Sequence, residues 1–254
     1  MREVLGALDC SLAARPVLAT AMALGKVLGA GVAAIHVGED VSVTPRGLAA
    51  AVGVPLRVVP GAVVECLVAA CEADAVVALV IGARGIPTDP RPLGNTAVSV
   101  ATSVHKPVVV VPPDACPRPA INRILVSLQG DVSTSVAPQV LLELAPETKI
   151  EVIALQVFAP DAIPAFTDQP YHEQEARAGE FLARYCPWGI AGVRLETRVG
   201  SREEQVARVA RECGCDMIVL GWSQRLGEGR ARVVSGTLKR SDTPVMLFPV
   251  SRDG

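Results

Sequence analysis

Short, mostly apolar runs alternate along this chain with longer segments in which apolar residues recur at helical spacing. In the first half, the apolar runs Val4–Leu8, Val32–Val37 and Val76–Ile81 are separated by the longer segments Ala13–Leu28 and Ala62–Ala73. Apolar runs of this length are typical of strands that are buried on both faces of a parallel sheet. The alternation therefore predicts an α/β fold in which helices connect the strands by right-handed crossovers.

The alternation continues to the end of the chain. Further strands are predicted at Leu56–Val59, Val108–Val111, Ile124–Leu128, Ile150–Val157, Arg194–Val199, Met217–Leu220 and Val245–Phe248. Further helices are predicted at Thr96–Ser103, Val136–Leu144, His172–Cys186, Glu203–Cys213 and Val233–Arg240. The stretch between Val37 and Leu56 is expected to be irregular.

The order of segments also repeats. Four pairs match in the same order along the chain: Glu3–Ser11 with Arg123–Asp131, Val32–Val37 with Val152–Val157, Gly61–Gly82 with Gly200–Gly221, and Pro107–Pro112 with Pro244–Pro249. The repeat predicts two tandem domains, 1–113 and 121–250, with their boundary in the proline-rich segment Pro112–Pro119. Each domain is expected to be a doubly wound, Rossmann-like parallel sheet, and such sheets bind ligands outside the carboxyl ends of their strands.

Composition excludes several classes of partner. The formal net charge is −2, so the chain has no basic excess with which to bind nucleic acid. The mean hydropathy of +0.38 is high, but the apolar runs are far shorter than the ~20 residues that a membrane-spanning helix needs. The seven cysteines are odd in number, which disfavours a secreted disulfide framework. Because the N-terminus has no signal-peptide pattern, we expect a cytoplasmic protein.

Candidate chemistry lies where two of the predicted strands end. Asp9 follows the first strand, where it would serve either as a helix N-cap or as a ligand group. Gly82-Ala83-Arg84-Gly85 follows a later strand, and Gly94-Asn95-Thr96 opens the next helix. Glycines let the backbone approach a ligand closely, and a helix start directs N–H groups and a positive dipole at an anion. The two segments together predict a cradle for phosphate.

Other residues indicate neither a catalytic nor a metal site. The sequence contains no readable nucleophile–base pair and no metal-ligand spacing around its histidines, His36, His105 and His172. Cys213 and Cys215 form a close pair where a helix ends and a strand begins. We expect no catalytic residue and no metal-binding residue.

Taken together, these segments resemble the universal stress protein family over nearly the whole chain, as two consecutive family domains. The first copy matches through VLGALDCS, AIHV, PGAVVECLVAACEADAVVALVIGARG, LGNT and SVHKPVVVVP, and the second through ILVSLQGD, IALQV, TRVGSREEQVARVARECGCDMIVLGWS and SDTPVMLFPV. The resemblance implies a five-stranded parallel sheet in the order 3-2-1-4-5 in each domain. Many family members bind ATP, through the motif Gly-x2-Gly-x9-Gly-Ser/Thr.

The resemblance also implies which residues would hold a nucleotide. They are Asp9 for the ribose, Val37 for the base, and Gly82, Gly85, Gly94, Asn95 and Thr96 for the phosphates. The chain departs from the motif in two ways: its last spacer has eight residues, three of them proline, and Asn95 replaces Ser or Thr.

The second copy departs further from the family motif. Gln129 corresponds to Asp9, Gln224 to Gly85, and Ala231 to Gly94. These changes remove a charged acceptor and two glycines, so we expect one nucleotide site per chain, in the first domain.

The resulting hypothesis is a stress-response module that binds ATP or AMP and is not an efficient catalyst. The alternatives are a tandem stress protein that acts through protein interactions without nucleotide, and a slow ATPase. ATP is the expected cofactor, with Mg²⁺ as a secondary candidate. Because family members often pair along strand five, Val108–Val111 and Val245–Phe248 are expected to lie antiparallel as an intramolecular pseudo-dimer, and a homodimer of whole chains is a further expectation.

Overall fold

The fold is known from a computed structural model that describes residues 2–11, 13–39, 43–84, 94–128, 150–158, 193–225 and 231–250. Two predicted helices, Val136–Leu144 and His172–Cys186, lie outside these residues. Gly85 and Gln129 of the site hypothesis lie outside them as well.

Apart from α2, the described strands and helices follow one another in the order that the sequence predicts. The first half of the chain contains β1 (Glu3–Ala7), α1 (Ala14–Leu28), β2 (Gly31–Val37), α2 (Val43–Ala51), β3 (Leu56–Val59), α3 (Val63–Glu72), β4 (Val76–Gly82), α4 (Asn95–Ser103) and β5 (Val108–Val111). The described part of the second half contains β6 (Arg123–Leu128), β7 (Glu151–Phe158), β8 (Val193–Val199), α5 (Arg202–Glu212), β9 (Met217–Trp222), α6 (Arg232–Arg240) and β10 (Val245–Pro249).

Helix α2 corrects one expectation, since the segment before β3 was expected to be irregular. Its sequence, VTPRGLAAA, contains a proline and a glycine, which weaken the helical signal. Pro45 lies in the first turn, where its missing N–H costs no hydrogen bond. Ala49 is buried and Leu48 packs against the core. Tertiary burial therefore forms a helix that local propensity does not indicate.

The ten strands of the described residues belong to one sheet, in the order β3-β2-β1-β4-β5-β10-β9-β6-β7-β8. Within each half the neighbouring strands are parallel, which confirms the α/β fold and the order 3-2-1-4-5. The halves join where β5 and β10 pair antiparallel, with Val110 opposite Val245 and Val108 opposite Leu247. This is the predicted pairing of the two last strands. The exact domain limits, 1–113 and 121–250, stay predictions.

The sheet separates two apolar layers, and each layer extends across both halves of the chain. One layer is formed with α1 and includes Leu24, Ile124 and Phe248. The other lies under α3, α4, α5 and α6 and includes Val100 and Leu238. The high mean hydropathy thus reflects buried residues, and no helix in the described segments is long and apolar enough to cross a membrane.

The two copies keep the same turn between a strand and the helix that follows. Gly61 and Gly200 both have positive φ, 128° and 127°. Five residues later, the Cys66 thiol donates to the Pro60 carbonyl oxygen at 3.6 Å, and Gln205 Nε2 donates to the Val199 carbonyl oxygen at 3.1 Å. Only glycine adopts such φ values readily, so the repeat in sequence is also a repeat in backbone conformation.

The segment after β5 is anchored to the second half by the buried carboxylate of Asp216. Its Oδ1 accepts a hydrogen bond from Arg118 at 2.7 Å, and its Oδ2 accepts from the backbone N–H groups of Asn122 and Arg123 at 2.8 and 3.0 Å. Both carboxylate oxygens are paired, as a buried charge requires. The connection between the halves is therefore fixed just before β6 begins.

A matched pair of glycine substitutions tests the contact between α5 and α6. Gly236 lies in the middle of α6, where an added Cβ would overlap the Cβ of Glu203 on α5. Gly47 lies in the middle of α2 with nothing within 4 Å of an added Cβ. Gly236→Ala should lower the free energy of unfolding by about 1–3 kcal/mol, whereas Gly47→Ala should raise it by about 0.5–1 kcal/mol.

Chemical denaturation of both variants measures this difference. If Gly236→Ala were as stable as the parent protein, the close approach of α5 and α6 would be contradicted.

Candidate functional site

A cavity of 390 Å³ lies at the carboxyl ends of β1, β2 and β4. Its apolar wall comes from these strands and from the first turns of α1, α3 and α4. The apolar lining residues are Ala7, Leu8, Ala13, Val17, Ile35, Val37, Val63, Leu67, Ile81, Ala83 and Ala97. Asp9, Cys10, His36, Arg84 and Thr96 are the polar side chains that line it. The cavity is thus where doubly wound sheets bind their ligands.

Asp9 lies in this cavity and does not cap α1. The N-cap residue of α1 is Ala13, which makes no side-chain capping hydrogen bond. Asp9 Oδ1 instead accepts from the backbone N–H and the hydroxyl of Ser11, at 2.9 and 2.5 Å. Ser11 Oγ accepts in turn from the N–H of Ala13 at 3.2 Å. Ser11 therefore holds the Asp9 carboxylate at the cavity wall.

The end of β2 directs backbone groups toward the same cavity. Leu8 N–H donates to the Ile35 carbonyl oxygen at 2.8 Å, which is where β1 stops following β2. Backbone groups of alternate residues point to the same side of a strand, so those of Val37 also face the side of β1, beyond its end. The buried His36 donates from Nδ1 to the Leu8 carbonyl oxygen at 2.8 Å. This hydrogen bond fixes the spacing of the two strand ends.

Arg84 follows β4 and is half-buried in the cavity wall. Its Nε is buried without a hydrogen-bond partner, and no described residue forms an ion pair with its guanidinium. Leaving a buried donor unpaired costs about 1–3 kcal/mol. Among the described residues, the strand end therefore presents a cationic donor whose Nε has no hydrogen-bond partner.

Helix α4 begins at the cavity with Gly94 as its N-cap, which makes no side-chain capping bond. The Gly94 N–H donates to the Ala83 carbonyl oxygen at 2.8 Å, which ties the helix start to the end of β4. Gly94 has φ −67°, and an added Cβ would lie 3.6 Å from the Ala83 oxygen, an ordinary contact. Neither its conformation nor its described neighbours require glycine at this position.

The structure brings together most of the residues that the sequence singled out. Five of them line the cavity: Asp9, Val37, Gly82, Gly94 and Thr96. Asn95 is the first residue of α4 but does not line the cavity, and Gly85 lies outside the described residues. Arg84 was not among the predicted site residues, although it stands inside the glycine motif. His36 was considered only as a metal ligand.

The second copy differs at the corresponding positions. Trp222 corresponds to the cavity-lining Ala83 and is buried in the core. Gln224 and Ala231 have positive φ, 57° and 53°, although neither is glycine. Ala231 is the N-cap of α6 in the left-handed conformation, unlike the extended Gly94. The backbone that would surround phosphate therefore differs between the copies.

The close cysteine pair consists of two free thiols, of which Cys215 is buried and Cys213 is partly buried. Burial, and to a smaller extent the neighbouring Cys213, raises the pKa of the Cys215 thiol to about 12. Cys213 lies at the end of α5 and accepts a hydrogen bond from Arg194 at 3.1 Å. Across the described segments, no group of three or more His, Cys, Asp or Glu side chains could hold a metal ion.

Comparison with known proteins identifies relatives of the chain. Residues 120–249 match the model of the universal stress protein family, and no curated protein sequence matches the chain. A functionally unknown protein from Pseudomonas aeruginosa PAO1 has a similar solved structure, with 14% identity and a TM-score of 0.66 over 98% of this chain and 93% of that one. A universal stress protein from Archaeoglobus fulgidus DSM 4304 is 17% identical, with a TM-score of 0.66 over 99% of this chain and 97% of that one. At these identities the similarity establishes the fold.

Glycine should be the more stable residue at position 231 of the second copy, but it should not be the more stable residue at the corresponding position 94 of the first copy. Ala231→Gly should raise the free energy of unfolding by about 1 kcal/mol, because glycine adopts the left-handed conformation without strain. Gly94→Ala should not lower it, since φ at Gly94 is −67°. Urea denaturation without ligand measures both, and a less stable Ala231→Gly variant would contradict the difference in backbone conformation.

Proposed function

Because the chain belongs to the universal stress protein family, we propose that it is a nucleotide-binding module with one adenine nucleotide site, in the cavity of its first domain. The observation that carries this proposal is Arg84 at the carboxyl end of β4, whose Nε is buried without a hydrogen-bond partner among the described residues. An anionic ligand would pair the guanidinium and so offset the cost of burying it.

Two further features support a phosphate group next to Arg84. The N-terminus of α4 directs its partial positive charge at the cavity, and Gly94 makes no side-chain cap there. Neither the described neighbours nor the φ of Gly94 require glycine at this position. A ligand that approaches the Gly94 backbone closely would explain why glycine stands there. Arg84, Gly94 and Thr96 would then hold the phosphates.

The rest of the cavity suits a nucleoside. The Asp9 carboxylate is placed to accept hydrogen bonds from ribose hydroxyls, and a charged acceptor strengthens such bonds. The backbone groups of Val37 are available for the edge of a base, and Val17, Val63 and Leu67 offer it an apolar wall. ATP and AMP share all of these groups, so both fit the proposal. Mg²⁺ would depend on the nucleotide phosphates, since Asp9 is the only carboxylate among the described residues that line the cavity.

Titration calorimetry with adenosine, AMP and ATP tests the proposal. One nucleotide should bind per chain, and Asp9→Ala should weaken all three ligands by about 10- to 150-fold, since a hydrogen bond to a charged group contributes about 1.5–3 kcal/mol. Arg84→Gln should weaken AMP and ATP by about tenfold or more and leave adenosine unchanged. Arg46→Gln is the matched control, because this exposed arginine of α2 does not line the cavity.

Three results would overturn the proposal. They are a stoichiometry of two, equal losses of adenosine and AMP in Arg84→Gln, and no binding of any adenine nucleotide to the parent protein. The last result would favour a module that acts through protein interactions. Mass spectrometry of small molecules released from the denatured protein identifies a ligand that co-purifies.

Two exposed cysteines provide an independent test of where the nucleotide binds. Cys10 lines the cavity, whereas Cys116 lies in the segment between the halves. Saturating ATP should slow alkylation of Cys10 by iodoacetamide at least about fivefold, because a bound ligand blocks access to the thiol. Alkylation of Cys116 should be unaffected. Peptide mass spectrometry measures both rates, and equal rates at Cys10 with and without ATP would place the nucleotide elsewhere.

A further inference from the structure

Gln224 of the second half reaches the last turn of α4 in the first half. Its Nε2 donates to the carbonyl oxygens of Ala101 and Val104, at 3.2 and 2.6 Å. The Ala101 carbonyl would accept from His105 N–H if the helix continued. His105 N–H instead donates to the Glu72 carboxylate at 2.7 Å, which ends the helix. Gln224 therefore supplies the donor that the helix end lacks.

The backbone conformation of Gln224 is unfavourable for a residue with a side chain, so the contact with α4 is made at the expense of backbone strain. Its φ of 57° lies in the left-handed region, where a non-glycine residue is strained. Glycine would relieve that strain, and glycine stands at the corresponding position of the first copy. What glycine cannot provide is the amide that caps α4. The hydrogen bonds from the Gln224 side chain to α4 are thus what glutamine provides at this position and glycine does not.

Helix α4 connects this contact to the cavity. Its first residues lie at the carboxyl edge of the first half-sheet, where Gly94 and Thr96 line the cavity. Its nine residues span roughly 13 Å. Its last turn lies at the opposite edge, where β5 begins. Because β10 runs antiparallel to β5, this opposite edge is the carboxyl edge of the second half, and Gln224 follows β9 there.

We propose that Gln224 is a positioning residue for the nucleotide site of the first domain, which it supports through α4 from the second domain. The inference rests on the proposed function, because the ligand at the N-terminus of α4 is the nucleotide. A helix held at its C-terminal end keeps Gly94 and Thr96 in place at the other end. Nucleotide binding and the docking of α4 on the second domain then favour each other.

Three variants of the full chain test this proposal. Gln224→Glu keeps the shape and backbone strain of the side chain but places an acceptor against two carbonyl oxygens at the negative end of the helix. It should weaken AMP binding by about 3- to 10-fold. Gln224→Lys keeps a donor that helix C-terminal carbonyls accept, and it should bind AMP as the parent does. Ala231→Gly changes the other strained position of this domain, and it should also leave AMP affinity unchanged.

Hydrogen exchange without ligand supplies a readout that does not depend on nucleotide binding. In Gln224→Glu, amides from Val98 to Val104 should exchange faster relative to those of β1, which serve as the internal reference. In Ala231→Gly they should not. Faster exchange that stays confined to the last turn of α4 would overturn the proposal, because Gln224 would then not stabilise the start of the helix, where Gly94 and Thr96 lie.

Unchanged AMP affinity in Gln224→Glu would also overturn the proposal. If the parent protein binds neither AMP nor ATP, the proposed function fails. In that case the exchange of Val98–Val104 still decides whether Gln224 positions the start of α4.

Discussion

The antiparallel pairing of β5 with β10 is the interaction on which the rest of the structure depends. Both strands consist of apolar residues that are buried almost completely, such as Val109, Val110, Val245 and Met246. As open edges they would expose unpaired backbone groups and apolar side chains. Paired, they turn two five-stranded sheets into one and let both apolar layers run across the junction. The pairing also sets the direction of each half, so that the carboxyl ends of the two sets of strands lie at opposite edges.

The segments that follow β4 and β9 lie at opposite edges of the sheet, and their structures differ. In the first half a cavity remains, with Asp9 and Arg84 as its charged groups. In the second half the buried Trp222 stands where Ala83 lines the first cavity, and Gln224 directs its amide away to α4. In the second half, the indole of Trp222 packs in the core and the amide of Gln224 caps α4.

The sequence predicts the parts of this structure that depend on local patterns. Strands such as Leu56–Val59 and Val108–Val111 have their predicted limits, because β-branched runs end abruptly at proline or glycine. Helix α2 escapes prediction because burial of Ala49, and not propensity, forms it. Arg84 was visible within the glycine motif, but nothing local shows that its Nε is buried without a partner. The bond from Gln224 to Ala101 joins residues far apart in the chain and could not be read from either segment alone.

The distance between Gln224 and α4 along the chain has a further consequence. In a symmetric dimer of separate single-domain chains, one gene would encode both halves, and glutamine in place of the motif glycine would alter both ligand loops at once. Fusion of two copies in one polypeptide removes that restriction. One loop can then change sequence to serve its neighbour while the other retains its glycine. The covalent link thus permits the two halves to carry different residues at corresponding positions, which identical subunits cannot do.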